Sequence, residues 1–335
     1  SLPNWRSYDD NAPRFSSEYG FRSVPQGETV DEMISAELQW DPHGLQHVAW
    51  QFHHGWCGWL QAILPEFGSP QTLEEYIMLT QEAQATLMRY AAEIYRRRMY
   101  ATSGSLIWQY DEPWPAVTFS LVDYFGRPKA AYYWVRRAYA PVLGMFYAKE
   151  GKTSYWGISD LRKPCNYHAR LRRFSHEGKL LGGKEIKGVL LPNRATQLLD
   201  QLPSELLVGN ERGEFLHAEL SAANSVSERF YHTGHRRDWQ LPQVEIEARV
   251  RRRGAGSLAV SLAASGYAHF VSATVPDPLA RYSDNYVDLL PDETREIIIQ
   301  TRRRGPVTLR AANARTRIIR RRRARIDGGG HGNDG

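Results

Sequence analysis

Pro13-Arg14-Phe15-Ser16-Ser17-Glu18-Tyr19-Gly20-Phe21 is the first stretch of the chain with a readable shape. Pro13 and Gly20 bracket a run of strand length, Arg14 to Tyr19, that ends on a carboxylate and an aromatic ring. Beyond it, Thr29-Val30-Asp31-Glu32 has the pattern of a capping box and predicts a helix through Leu38. A strand that feeds a helix in this way is one βα unit.

The same rhythm repeats. Thr72-Leu73-Glu74-Glu75 is a second capping box, and Leu73, Ile77, Ala83, Leu87, Tyr90 and Ile94 keep one apolar face of a long helix that runs to about Tyr100. After Ser103-Gly104, the run Ser105 to Tyr110 suits a strand buried on both faces, and Pro128 opens an amphipathic helix that Pro141 stops. Strands and helices alternating at this spacing give residues 1–141 the βα rhythm of a parallel barrel. Such barrels keep catalytic groups at the C-terminal ends of their strands, where the βα loops meet, and Glu18 occupies that place.

From Val142 the pattern changes to short alternating runs between Gly, Pro, Asn and Asp clusters, which reads as two immunoglobulin-like β-sandwiches at 142–237 and 238–305. The boundary falls in the polar stretch His235 to Asp238. Val244, Ile246, Ala248 and Val250 alternate with Glu245, Glu247, Arg249 and Arg251, then Leu258, Val260 and Leu262 follow, as in a hairpin with one wet face. The fold class is therefore multidomain, α/β followed by all-β. Residues 306–335, rich in Arg and then in Gly, are expected to form a disordered basic tail.

Bulk composition narrows the function classes. With 335 residues, 42% of them hydrophobic, and ten Trp and eighteen Tyr, the chain has material for several cores. The net charge of +6 misleads as a guide to partners, because residues 301–335 hold eleven Arg and two Asp, which leaves residues 1–300 at −3. That distribution makes nucleic acid an unlikely partner for the folded part, and no aromatic interleaving accompanies the arginines. No stretch approaches the roughly 20 apolar residues of a membrane span. Cys57 and Cys165 lie far apart without metal-ligand or redox spacing, so neither a disulfide framework nor a zinc site is indicated.

The strand with Glu18 resembles the nucleophile strand of the β-mannosidases of glycoside hydrolase family 2, and the family's strand-seven glutamate maps onto Glu18. Gly104-Ser105-Leu106-Ile107-Trp108-Gln109-Tyr110-Asp111-Glu112-Pro113-Trp114-Pro115 is similar to the family's strand eight, and Gly126-Arg127-Pro128-Lys129-Ala130 to the start of the helix after it. Arg281-Tyr282-Ser283-Asp284-Asn285-Tyr286, followed by Leu289-Leu290-Pro291, resembles the last sandwich of the same enzymes. The resemblance implies that residues 1–141 are the C-terminal part of a (β/α)8, or TIM, barrel, and that the enzyme is a retaining hydrolase of β-linked mannosides. Glu18 would attack the anomeric carbon, Trp108 would offer the sugar an apolar face, and Asp111 and Trp114 would meet it from the loop. It implies no cofactor. The acid/base Glu of the family belongs to an Asn-Glu pair on strand four, so its counterpart is expected upstream, in the other half of the same enzyme. Asn210-Glu211, the only Asn-Glu here, is flanked by glycines and reads as a surface turn.

Other readings stay open on sequence alone. β-Galactosidase, β-glucuronidase and exo-β-glucosaminidase share the family's barrel and nucleophile. A chain that lacks the acid/base could also be a carbohydrate-binding remnant without catalysis. His53-His54-Gly55-Trp56 offers adjacent histidines with no third ligand nearby, which is a loop pattern rather than a metal site. The aromatic density of Trp50, Phe52, Trp56 and Trp59 suits packing of a long loop.

Overall fold

The computed structural model describes residues 7–10, 12–40, 48–55, 58–303 and 305–320. Trp56 and Cys57 lie outside the described residues, as do 321–335. The chain begins with an α/β layer. A short helix Ser7–Asp10 (α1) precedes the strand Ser16–Tyr19 (β1), and helices Gly27–Met33 (α2), Val48–Phe52 (α3), Gly58–Phe67 (α4) and Leu73–Arg97 (α5) follow. The layer is completed by strand Ser105–Ile107 (β2) and helix Ala130–Ala138 (α6). β1 and β2 pair in parallel, Ser16 opposite Ser105 and Tyr19 opposite Ile107.

Local sequence explains most of these boundaries and misses two. The Thr72 hydroxyl accepts from the Glu75 amide at 3.2 Å, so α5 is capped as its sequence predicts. Thr29 does not cap α2, which begins at Gly27; its hydroxyl is spent on Asp123, a tertiary partner that outcompetes the local one. The expectation of a strand buried on both faces at Ser105–Tyr110 is also corrected. The ladder ends at Ile107 and Leu106 is 55% exposed, because a two-stranded sheet has too few neighbours to cover both faces.

Two sandwiches follow. Val142–Lys149 (β3), Lys152–Ser159 (β4), Cys165–Ser175 (β5), Leu180–Leu190 (β6), Arg194–Leu199 (β7), Glu214–Ala222 (β8) and Ser225–Tyr231 (β9) form sheets in the order β3-β4-β7 and β6-β5-β8-β9. Between them lies a core that includes Phe146, Tyr155, Leu171 and Leu220. The second sandwich has Ile246–Gly254 (β10), Ser257–Ala264 (β11), Ala268–Thr274 (β12), Arg281–Tyr282 (β13), Val287–Leu289 (β14), Arg295–Gln300 (β15), Val307–Ala311 (β16) and Ala314–Ile319 (β17). Its sheets run β10-β11-β15-β13 and β14-β12-β16-β17, closed over Val260, Leu262, Val271, Ile297 and Leu309.

β16 and β17 stand where a disordered tail from residue 306 was expected, so that expectation is corrected for residues 307–319, while 321–335 lie outside the described residues. Val307 and Leu309 alternate into the core, and β16 pairs with β12 and β17. β17 tolerates its arginines because it is an edge strand. Arg315 and Arg317 are exposed, and charged edge residues discourage unwanted strand pairing.

The helix α5 is the axis of the molecule. From Leu79 to Arg96 all but Thr86 is buried, including Thr80, Gln81, Glu82, Gln84, Arg89, Glu93 and Arg96. One side packs on β1 and α6, while the other meets both sandwiches: Arg229 reaches Glu93 at 3.2 Å, and His269 and Arg236 reach Glu82, each at 2.8 Å.

Candidate active site

The residues ending β1 and β2 lie side by side. The Trp108 amide donates to the Tyr19 carbonyl at 2.9 Å, so the parallel ladder places Glu18 and Trp108 at the same C-terminal strand end. Glu18 is exposed and Trp108 is 50% exposed, which leaves the carboxylate and the indole accessible from outside. Gly20 lets the two segments come this close, since a Cβ there would sit 2.0 Å from the Trp108 carbonyl oxygen.

Behind this edge, α5 presents a buried polar row that holds the loops. Gln84 donates to the carbonyls of Phe21, Phe119 and Ser120 at 2.7, 3.2 and 3.1 Å, and accepts from the Ser23 hydroxyl at 2.7 Å. Gln81 donates to the Val24 carbonyl and accepts from the Ala130 amide, while the Val24 amide donates to Thr80. One helix face therefore fixes both the segment after Glu18 and the loop after Trp108. Sequence reasoning missed these residues. Their only signal is a cluster of amide and hydroxyl side chains at 80, 81 and 84, beside the charged Glu82 on the same helix.

The loop after β2 is organised by a different carboxylate from the one the sequence singled out. Asp111 is exposed, whereas its neighbour Glu112 is buried and accepts from the hydroxyls of Thr118 and Ser120 and from the Tyr124 amide. Lys129 is fully buried nearby and donates to the Thr118 carbonyl at 3.3 Å. Burial pushes its amine down to about 8, against the pull of Glu112 and Asp123. Asp123 is itself pushed up by burial, although the Thr29 hydroxyl and Arg127 favour its charge. This network spans the loop from Glu112 to Lys129 and leaves Asp111 free to face outward.

Trp114 is half-buried and stacks on His53 with ring centroids 5.3 Å apart at 27°. It meets Phe52 and His54 edge-on, at 5.3 and 5.4 Å. His53 Nδ1 lies 2.7 Å from the Pro115 carbonyl, and the Val117 amide donates to the His53 carbonyl at 2.8 Å. His53 thus ties the loops together. Trp50 is fully buried, with its indole donating to the Leu38 and Gln39 carbonyls. Asn210-Glu211 sits in a turn closed by the Gly213 amide on the Asn210 carbonyl, within the first sandwich.

Comparison with known proteins now has a geometry to meet. Residues 241–319 match the Ig-fold domain of mannosidases, which takes in β16 and β17 and so supports the longer second sandwich. The Beta-mannosidase B of Aspergillus niger is 30% identical over 222 residues, 58% of this chain and 26% of that protein. The Beta-mannosidase B of Emericella nidulans is 26% identical over 337 residues, 91% of this chain and 38% of that protein. The chain is β-mannosidase-like. It spans between about a fifth and two fifths of the curated relatives it matches. The fold agrees as well: the β-D-mannosidase of Dictyoglomus thermophilum superposes with a TM-score of 0.83 at 23% identity, over 93% of this chain and 39% of that one.

The third stretch of β-mannosidase resemblance serves docking. Asp284 accepts from Arg137 at 2.7 Å, the Trp134 indole donates to the Tyr286 carbonyl at 2.8 Å, and Gln26 donates to the Tyr286 hydroxyl at 2.9 Å. Asn285 bonds both the amide and the carbonyl of Ala273, which shapes the turn that carries these groups. Arg281 to Tyr286 therefore fasten the last sandwich of this β-mannosidase-like chain to α6 and to the segment just after the Glu18 strand.

Proposed function

We propose that this chain is the C-terminal portion of a retaining β-mannosidase, a glycoside hydrolase that removes β-linked mannose from the non-reducing ends of its substrates. Residues 1–141 would close a (β/α)8 barrel whose seventh and eighth strands are β1 and β2, with residues 142–237 and 238–319 as its two sandwiches. The observation that carries this reading is the exposed Glu18 carboxylate at the C-terminal end of a parallel strand, beside the half-exposed Trp108 of the next.

The chemistry follows from that placement. The Glu18 side chain attacks the anomeric carbon from the α face while the acid/base of the upstream half protonates the leaving oxygen, and the glycosidic bond breaks as the ester forms. The two carboxyl groups of a retaining site lie roughly 5 Å apart. Water, deprotonated by the same acid/base, then displaces Glu18, and two inversions return the β configuration. Trp108 covers the apolar face of the ring, and Asp111 and Trp114 meet hydroxyls or the aglycone from the loop.

The test is hydrolysis of p-nitrophenyl β-mannoside, β-glucoside, β-galactoside and β-glucosaminide by the full-length protein, with the first-formed anomer read by proton NMR. Preference for the mannoside with β-mannose appearing first is the expected outcome. Turnover of another sugar would move the activity within the family, and no turnover of any would leave a binding remnant. Trp108→Ala should raise KM about ten- to a hundredfold, as loss of a buried aromatic contact is worth about 1–3 kcal/mol. An unchanged KM would remove Trp108 from the sugar site.

A further inference from the structure

Beyond the bond from the Trp108 amide to the Tyr19 carbonyl, the two segments that leave the strand ends meet again on α5, at Gln84. The first is residues 21–23, which begin three positions after Glu18. The second is residues 118–120, and it leads straight back to Trp108. The Leu121 amide donates to the carbonyls of Gln109 and Tyr110 at 3.1 and 3.0 Å, and the Val122 amide donates to that of Tyr110 at 2.9 Å. Whatever fixes 21–23 against 118–120 therefore fixes the carboxylate against the indole.

One side chain does most of this. The Gln84 amide nitrogen donates to the Phe21 carbonyl at 2.7 Å and to those of Ser120 and Phe119 at 3.1 and 3.2 Å, so two N–H groups serve three carbonyls from both segments. Its oxygen accepts from the Ser23 hydroxyl at 2.7 Å, which decides which end of the amide faces which partner. Beside it the segments share one backbone bond, from the Ser23 amide to the Thr118 carbonyl, at 3.1 Å. Gln84, Ser23 and Ser120 are all fully buried, so solvent does not replace these bonds when the amide is removed.

We propose that Gln84 is a positioning residue for glycoside hydrolysis, setting the distance and angle between Glu18 and the sugar ring held on Trp108. The proposal rests on the reading of Glu18 as the nucleophile. Gln84 is buried and touches no substrate; it acts through the two segments it joins. Without it both functional groups are still present, but the carboxylate approaches the anomeric carbon along a displaced path. A misplacement of about 1 Å can cost roughly a hundredfold in rate.

Titration of the full-length protein with 2-deoxy-2-fluoro-β-D-mannosyl fluoride counts competent sites, because attack by Glu18 expels fluoride and leaves a slowly hydrolysed ester visible by mass spectrometry. Turnover of p-nitrophenyl β-mannoside is then expressed per titrated site. Gln84→Met keeps the side chain's length and removes all four bonds, and should lower per-site kcat by about ten- to a hundredfold. Ser23→Ala removes only the bond that orients the amide, and should lower it by about three- to tenfold. Thr72→Ala takes away the cap of the same helix and should keep the wild-type value per site. A merely structural role gives fewer titratable sites, each turning over at the wild-type rate. That result in both Gln84→Met and Ser23→Ala, or an equal fall in Thr72→Ala, would overturn the proposal, and if Gln84→Met does not fold, Ser23→Ala decides it alone. Failure of the underlying reading is distinct: the unaltered protein would then neither hydrolyse the mannoside nor take up the label at Glu18.

Discussion

Glu18→Ala in the full-length protein is expected to lower kcat for p-nitrophenyl β-mannoside by on the order of 10⁴-fold or more, because the covalent route loses its nucleophile. Folding should be untouched. Glu18 is exposed, and substitutions at such sites usually stay within about 0.5 kcal/mol. An unchanged melting temperature with lost turnover is thus a clean result. Added azide discriminates further. It can enter the space left by the carboxylate, attack the anomeric carbon once and leave an α-mannosyl azide, whereas loss of the acid/base would direct azide to the β face. An α-azide product assigns Glu18 as the nucleophile; turnover that survives the substitution removes it from the chemistry and with it the strand-seven assignment.

The second large effect concerns the buried junction around Glu82. Glu82→Gln should destabilise the protein by about 3 kcal/mol, because it leaves the half-buried Arg236 without its carboxylate and the buried His269 with Asp288 alone. The pH dependence has a computable sign. Burial alone would depress the His269 imidazole, yet Asp288 and Glu82 outweigh it and raise it to about 9. A raised pKa contributes stability that is complete below the unfolded value near 6.5 and is lost as pH climbs through 9. The expected loss is about 3 kcal/mol over that window, at roughly 1.4 kcal/mol per unit. On the acid side, burial lowers His176 to about 4, so stability also falls as pH drops from 6.5 through 4. Urea denaturation should therefore show a maximum near pH 6.5 and an alkaline fall that runs to about pH 8, above which the depressed Lys129 amine offsets the His269 loss. His269→Gln should flatten the alkaline limb and leave the acid limb in place; an alkaline limb unchanged in that variant would show that the imidazole is neutral in the fold.

Much of this was legible in the sequence because it is local. The Thr72 cap, the period of α5, the alternation of Val244 to Val250 and the strand around Glu18 are short-range patterns, each set by backbone geometry within a few residues. The resemblance around Glu18 and Trp108 rests on the same kind of signal, and the register of β1 on β2 does bring the two to one edge. Errors arose where an exposed-looking pattern acquired a partner distant in sequence. Thr29 looked like a cap and became a ligand of Asp123, 94 positions away. The arginines after Gly305 looked like a tail, yet Val307 and Leu309 face a core supplied by β12, and an edge strand accepts outward arginines without cost.

The deepest difference lies on α5. By sequence alone its period determined one apolar face and left the burial of the face that carries Glu82, Arg89 and Glu93 undetermined. Only the packing of two sandwiches decided that this face is buried too, because no local pattern records that Arg229, Arg236 and His269 will arrive from more than 130 residues away to neutralise it. Burial of a charge is tolerable only when its counter-charge is present, and that counter-charge is a property of the tertiary structure.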